Sequence, residues 1–300
     1  MLRKSGGASP RLLALFLVLS GIVAWQSLLA AFSLALHDDQ YTHILLILPL
    51  SLALIYRQWP AVEELRGYGG SPAGVAVMAV AAMIAIVTIV RAVAISADVA
   101  IAGRMFALVL FWIGAWAFCF GWRVVRALIF PLCFLFFLVP LPLVALGRVI
   151  NLLQRGSTLS AHWLFAATGV PVSQDGFVLT IPGLSVEVAQ ECSSIRSSSM
   201  LLVATMVLAQ VLLRSPWRKA LVVAVAIPLS VAKNGLRIFT ISMLGTRVDR
   251  GYLTGRLHHQ GGPVFFAIAL VIVFALIWLL KRGESLDQSG SVREHYGIAK

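Results

Sequence analysis

Eight apolar runs divide this sequence, at roughly 12–33, 41–57, 73–92, 103–121, 125–146, 193–213, 219–240 and 261–280. A helix needs about 20 apolar residues to cross the hydrocarbon layer of a bilayer. The runs meet that length, the second being the shortest, with Pro49 inside it. The chain is 60% hydrophobic and only 12% charged, whereas a soluble domain is about 25% charged. The expected fold class is therefore an all-α integral membrane protein with about eight transmembrane helices. The first run, 11–32, is too long for a cleaved signal peptide and lacks a convincing cleavage site, so it reads as a retained span. No internal repeat is visible.

The net charge of +12 does not point to nucleic acid. The basic residues sit in short clusters between the apolar runs, where they orient helices. With the N-terminus inside, the inner segments hold Arg3, Lys4 and Arg11, then Arg57 and Arg66, Arg123 and Arg126, Arg214, Arg218 and Lys219, and finally Lys281 and Arg282. The acidic "HDDQ" at 37–40 falls outside, as do Arg148, Arg155, Arg247, Arg250 and Arg256. An even number of spans returns the C-terminus to the cytoplasm. Residues 1–282 then form one polytopic domain, and the polar stretch 283–300 reads as a flexible cytoplasmic tail.

The longest outer segment joins the fifth and sixth runs. In "LGRVINLLQRGSTLSAHWLFAATG", Val149, Leu152, Leu153 and Leu159 recur near helical spacing, with Arg148 and Arg155 on the polar side. This predicts an amphipathic helix at the interface, with Trp163 at headgroup level. In the next stretch, Asp175-Gly176 and Pro182-Gly183 are turn signals around "FVLTI" and the alternating "SVEVA". A small extracytoplasmic β-hairpin before the sixth span is expected. It delivers the chain to Glu191 and Cys192.

Three cysteines cannot make a disulfide framework. Cys119 and Cys133 lie in apolar runs and read as core thiols. Cys192, in "VEVAQECSSIRSSSMLL", alone has polar and charged neighbours. A thiol at a helix N-terminus beside Arg196 is electrostatically biased toward the thiolate, the nucleophilic form. The plainer reading is that the serines cap the helix and Cys192 has no chemical role. The seventh run contains "AKNGLRIFT", which puts Lys233, Asn234 and Arg237 in its outer half. Asn234 and Arg237 are three apart and share a face. An arginine inside a span faces a wet cavity or snorkels to the headgroups. "RLHHQGGPVFF" sets His258 and His259 before the eighth span, where a histidine can move protons near neutral pH. Adjacent histidines do not converge well on one metal, and no matching ligand set lies nearby. No metal or cofactor is expected. Cys192, Arg237 and His258 all fall at one membrane face, and a thiolate, a fixed cation and an acid/base are what cysteine-dependent acyl transfer requires.

At these three stretches the sequence resembles the exosortase/archaeosortase family of membrane-embedded cysteine transpeptidases. "ECSSIRSS" looks like the family's Cys motif, with Ser194 where a Gly is frequent. "NGLRI" looks like its Arg motif, and "HHQGGPVFF" like its final His motif, with Pro263 where an aromatic is common. The spacing to Gly262 favours His258 over His259. The resemblance implies Cys192 as nucleophile, Arg237 as transition-state stabiliser and His258 as acid/base, with Arg196, Asn234, Glu191 and His259 in support. It also implies a bacterial inner membrane location and an active site on the extracytoplasmic side. The implied substrates are secreted, membrane-tethered proteins with a C-terminal sorting signal: a Pro-Glu-Pro-like motif, a hydrophobic helix and a basic cluster. They would be passed to an envelope acceptor that the sequence does not identify. Two other readings fit parts of the sequence. One is a transporter with Arg237 and Lys233 in an anionic solute site. The other is an intramembrane cysteine protease with water as acceptor.

Overall fold

The computed structural model describes residues 10–65, 70–188, 195–254 and 262–295. The chain forms two compact units, Met1–Leu146 and Gly147–Lys300.

The first unit opens with α1 (Pro10–Val23) and α2 (Trp25–His37), which meet at a 75° bend. The first apolar run is thus a broken pair rather than one straight helix. One turn before the bend, the Trp112 indole N–H donates to Ser20 Oγ at 3.0 Å. α3 (Ile44–Val62) keeps both Pro49 and Pro60 inside it. α4 (Pro72–Val90) and α5 (Ala97–Phe120) pack as an antiparallel pair. Small residues let their backbones approach. A Cβ on Gly114 would lie 2.7 Å from Met78 Cγ and 2.9 Å from Met78 N, and one on Gly74 would strike the Phe118 backbone. Where apolar surface faces lipid, close backbone approach rather than hydrophobic exclusion drives such pairing.

The fifth run, expected as one span over 125–146, is broken. It forms α6 (Trp122–Ala127), α7 (Ile129–Phe134) and a 3-10 turn (Leu135–Leu138), then an extended stretch into α8 (Leu143–Ala167). The turn across that stretch is 100°. Pro140 and Pro142 lack amide donors, and each pushes the preceding residue out of helical geometry; Val139 is extended. Side chains hold the break. Tyr41 OH donates to Leu141 O at 2.9 Å, and Leu143 N–H donates to Asp98 Oδ2 at 2.7 Å, so a carboxylate caps the start of α8. Cys119 is buried as expected, but Cys133 is exposed on α7 and is not a core thiol.

The second unit contains the rest of α8, a sheet, α9 (Ile195–Leu212), α10 (Pro216–Arg247), the single turn α11 (Gly251–Thr254) and α12 (Gly262–His295). The segment 147–167 is helical, as expected. Its buried stripe is Ile150, Gln154, Ser157, Thr158, Ala161 and Phe165, while Leu152 is 72% and Trp163 is 67% exposed. Three polar side chains thus share the inner face with three apolar ones, and Leu152 and Trp163 turn outward. The sheet is a three-stranded antiparallel meander rather than a hairpin: β1 (Ser173–Asp175), β2 (Val178–Ile181) and β3 (Leu184–Glu187), in that order. Gly176 and Gly183 take positive φ at the two turns, where a Cβ is unfavourable. The additional strand, Ser-Gln-Asp, is wholly exposed and has no apolar alternation to announce it.

Two cores organise this unit. Leu201, Ala209, Leu213, Val222, Ala269, Val273 and Ile277 join α9, α10 and α12. Ala161, Phe165, Val170, Leu179, Ile181, Val188 and Ile238 seat the sheet on α8 and α10. At the other end of α10, Glu284 accepts from the amides of Arg214 (3.1 Å) and Ser215 (2.8 Å), and Arg218 donates to Leu280 O at 2.8 Å. α12 runs on past the eighth apolar run to His295. Among the described residues, six helices are long and apolar enough to cross a membrane, or eight if each bent pair counts as one span. They follow the order of the eight apolar runs.

Candidate active site

The stretch of α10 from Ser230 to Ser242 positions the charged residues of the seventh run. Lys233 is 6% and Asn234 is 1% exposed; Arg237 is half-buried. These polar side chains are set inside the unit rather than toward lipid, as the cost of an intramembrane charge demands. Gly235 sits between them and makes the approach of α8 possible. A Cβ there would collide with the Ser160 side chain and stand 3.0 Å from Ala161 N. One turn earlier on α8, a Cβ on Gly156 would lie 2.8 Å from Val231 Cγ1. Phe165 and Phe239 continue the contact, with ring centroids 5.0 Å apart.

The face of α10 bearing Asn234 and Arg237 borders a cavity of about 260 Å³. One wall is Asn234, Arg237, Ile238, Ile241 and Ser242, spaced by three and four residues along a single helix face. The other is β3 and the residue after it, from Leu184 to Val188. The end of that strand is fixed by Gln154 of α8, whose amide donates to Val188 O. One residue before Asn234 on α10, the Lys233 ammonium donates to Ser197 Oγ in the first turn of α9. Arg196, next to Ser197, is exposed, and its carbonyl accepts from Ser199 Oγ at 3.0 Å.

Asn234 and Arg237 are thus brought together on the cavity wall, whereas Arg196 stands at the start of α9 and Lys233 is turned to Ser197. Neither Arg196 nor Lys233 lines the cavity among the described residues. Cys192, Glu191, His258 and His259 lie outside the described residues. In sequence, Cys192 follows Val188 by four residues and precedes Ile195 by three, and His258 stands four residues from both Thr254 and Gly262. α11 packs on α10.

Sequence reasoning passed over Gln154, Ser197, Gly235 and Ser242. Gln154 carries a signal in retrospect: it is a polar residue in register with Ile150, Ala161 and Phe165. Ser197 and Ser242 carry none, since serine is common near span ends for many reasons.

Among the described residues, Asn234 and Arg237 of α10 and the segment Leu184–Val188 line one cavity. The chain matches the family model described as "Transmembrane exosortase (Exosortase_EpsH)" over residues 25–275. No curated protein and no solved structure matched it. The family match covers most of the chain, all the spans in part or whole, and each of the three motif stretches, so this multi-pass membrane protein belongs to the transmembrane exosortases, cysteine transpeptidases that process C-terminal sorting signals.

Proposed function

We propose that the protein cuts C-terminal sorting signals of secreted proteins at the outer membrane face and transfers them to an envelope acceptor, with Cys192, Arg237 and His258 as the catalytic residues. The Cys192 thiolate attacks the scissile carbonyl and forms a tetrahedral oxyanion. The Arg237 guanidinium, a fixed fork of donors, stabilises that charge, with Asn234 as a second donor. As the C–N bond breaks, His258 gives a proton to the leaving amine, and the acyl group remains as a thioester on Cys192. The acceptor nucleophile then attacks the thioester, His258 takes its proton, and the thiolate is regenerated. Glu191, Arg196 and His259 support the cysteine and histidine electrostatically.

The observation that carries this reading is the cavity itself. Arg237 and Asn234 belong to one wall, and the opposite wall is the segment Leu184–Val188, which ends four residues before Cys192 in the sequence. The substrate is a polypeptide with a Pro-Glu-Pro-like motif, a hydrophobic helix and a basic cluster. Its helix holds the motif at membrane depth, which raises the effective concentration of the scissile bond at the thiol.

Co-expression with a reporter carrying such a signal tests it. Wild-type protein is expected to shorten the reporter, and the Cys192→Ala variant to leave it intact, with the mass of the new C-terminus identifying the acceptor. Normal processing by a well-folded Cys192→Ala variant would overturn the assignment.

A further inference from the structure

Among the described residues, β3 is the outer strand of its sheet, and one of its edges has no strand beside it. The register tells which main-chain groups that edge presents. Glu187 stands opposite Val178, and the Val188 amide donates to Phe177 O at 2.9 Å. Main-chain groups of an antiparallel strand alternate between its two edges. Those of Leu184, Val186 and Val188 therefore turn to β2, and those of Ser185 and Glu187 turn away from it. Among the described residues, no backbone hydrogen bond reaches Ser185 or Glu187 on that side. The edge borders the cavity whose far wall is Asn234, Arg237 and Ser242 of α10.

We propose that this edge is a docking rail for the substrate's main chain. An extended segment of the substrate, immediately N-terminal to the scissile bond, adds to the sheet as a fourth strand along the open edge of β3. This rests on the transpeptidase reading above and specifies how that site holds its substrate. Ser185 and Glu187 each offer an amide donor and a carbonyl acceptor, two residues apart and therefore roughly 6.6 Å apart along the strand. An extended polypeptide repeats its own donors and acceptors at that period, and neither a lipid chain nor a small solute does. An exposed strand edge pairs readily with another chain, and strand addition to an open edge is a known mode of peptide recognition.

Continuity with the catalytic residues fixes which part of the substrate lies there. Cys192 follows β3 by five residues in the sequence, and Arg237 belongs to the same cavity as β3. The acyl side of the scissile bond stays on the enzyme as the thioester while the amine side departs. A rail for the acyl side holds the intermediate in place until the acceptor arrives. Recognition through the main chain fixes depth and register whatever the side chains are. Ser242 and Ile241 on the opposite wall are left to read side chains.

The test uses full-length protein in membranes. Ser185→p-benzoylphenylalanine and Glu187→p-benzoylphenylalanine are each made in the Cys192→Ala background, so that binding is observed without turnover. They are irradiated with a tethered reporter bearing a Pro-Glu-Pro-like motif, a hydrophobic helix and an arginine cluster. The expected adducts join these positions to reporter residues just N-terminal to the scissile bond. No reporter adduct from either position, or adducts only between two copies of the protein, overturns the rail.

A second measurement avoids altering the protein. Synthetic substrates N-methylated at one residue each are offered to the wild-type protein. Loss of one main-chain hydrogen bond corresponds to about a 3- to 10-fold fall in kcat/KM. The fall is expected at every second residue, and a flat profile overturns the rail. Failure of the parent reading is distinguishable, because then the unmethylated substrate is not cut in a Cys192-dependent way at all.

Discussion

The Lys233 ammonium donates to the Ser197 hydroxyl, tying the middle of α10 to the first turn of α9. Arg237 stands one turn further along α10, and Cys192 precedes Ser197 by five residues. A hydrogen bond from a nearly buried amine therefore adds a polar tie to the apolar core that joins α9 and α10.

Removing only the hydroxyl leaves that amine poorly compensated. Ser197→Ala is expected to lower the melting temperature in detergent more than Lys233→Met does, and the double variant is expected to recover part of the loss. The reason is that a charge left buried costs more than a pair removed together. Scanning fluorimetry of the four proteins completes a double-mutant cycle, and additive losses would contradict the coupling.

Arg237 is proposed to act on a developing oxyanion, so its variants test chemistry rather than folding. Arg237→Gln is expected to slow processing by about 10²- to 10³-fold, the usual cost of losing an oxyanion donor, with little change in melting temperature. Arg237→Lys keeps the charge but loses the planar fork, and is expected to restore only a small part of the rate. Full activity in Arg237→Gln, measured as the initial rate of reporter shortening, would remove it from the mechanism.

The α8–α10 seam makes a steric prediction. Gly235→Ala places a methyl group against the Ser160 side chain, and overpacking of this kind costs about 1–3 kcal/mol. Ser160→Gly in the same protein removes the obstructing side chain, although Ala161 N stays 3.0 Å from the new Cβ. Partial recovery of melting temperature and processing in the double variant is expected. An undisturbed Gly235→Ala single variant would show that the helices do not approach so closely.

The three thiols separate chemically. A variant with Cys119→Ser and Cys133→Ala keeps Cys192 alone, and it is expected to process the reporter at close to the wild-type rate. Treating that variant with N-ethylmaleimide should abolish processing, because the alkylated sulfur is no longer a nucleophile. Mass spectrometry of the Cys192 peptide checks the modification. Activity that persists after complete alkylation would exclude the thiol.

The order of the apolar runs able to cross a membrane was determined by the sequence alone, because a bilayer of fixed thickness selects apolar runs by length without reference to their neighbours. The same local logic covers the helix over 147–167, the Gly176 and Gly183 turns, and the placing of Asn234 and Arg237 on one face of α10. Tertiary structure decided the rest. Helical spacing of Val149, Leu152 and Leu159 says that one face is apolar, but not whether that face meets protein or lipid. In α8 it turns outward, and the polar Gln154, Ser157 and Thr158 are buried. Pro140 and Pro142 make a break legible, but its 100° turn depends on what Tyr41 and Asp98 hold from afar in the chain. β1 is polar and exposed and exists only because β2 lies beside it. The tie from Lys233 to Ser197 and the closeness of Gly235 to Ser160 join residues 36 and 75 positions apart. Local periodicity carries no information about such pairs, because they form only when packed helices bring distant turns to the same depth.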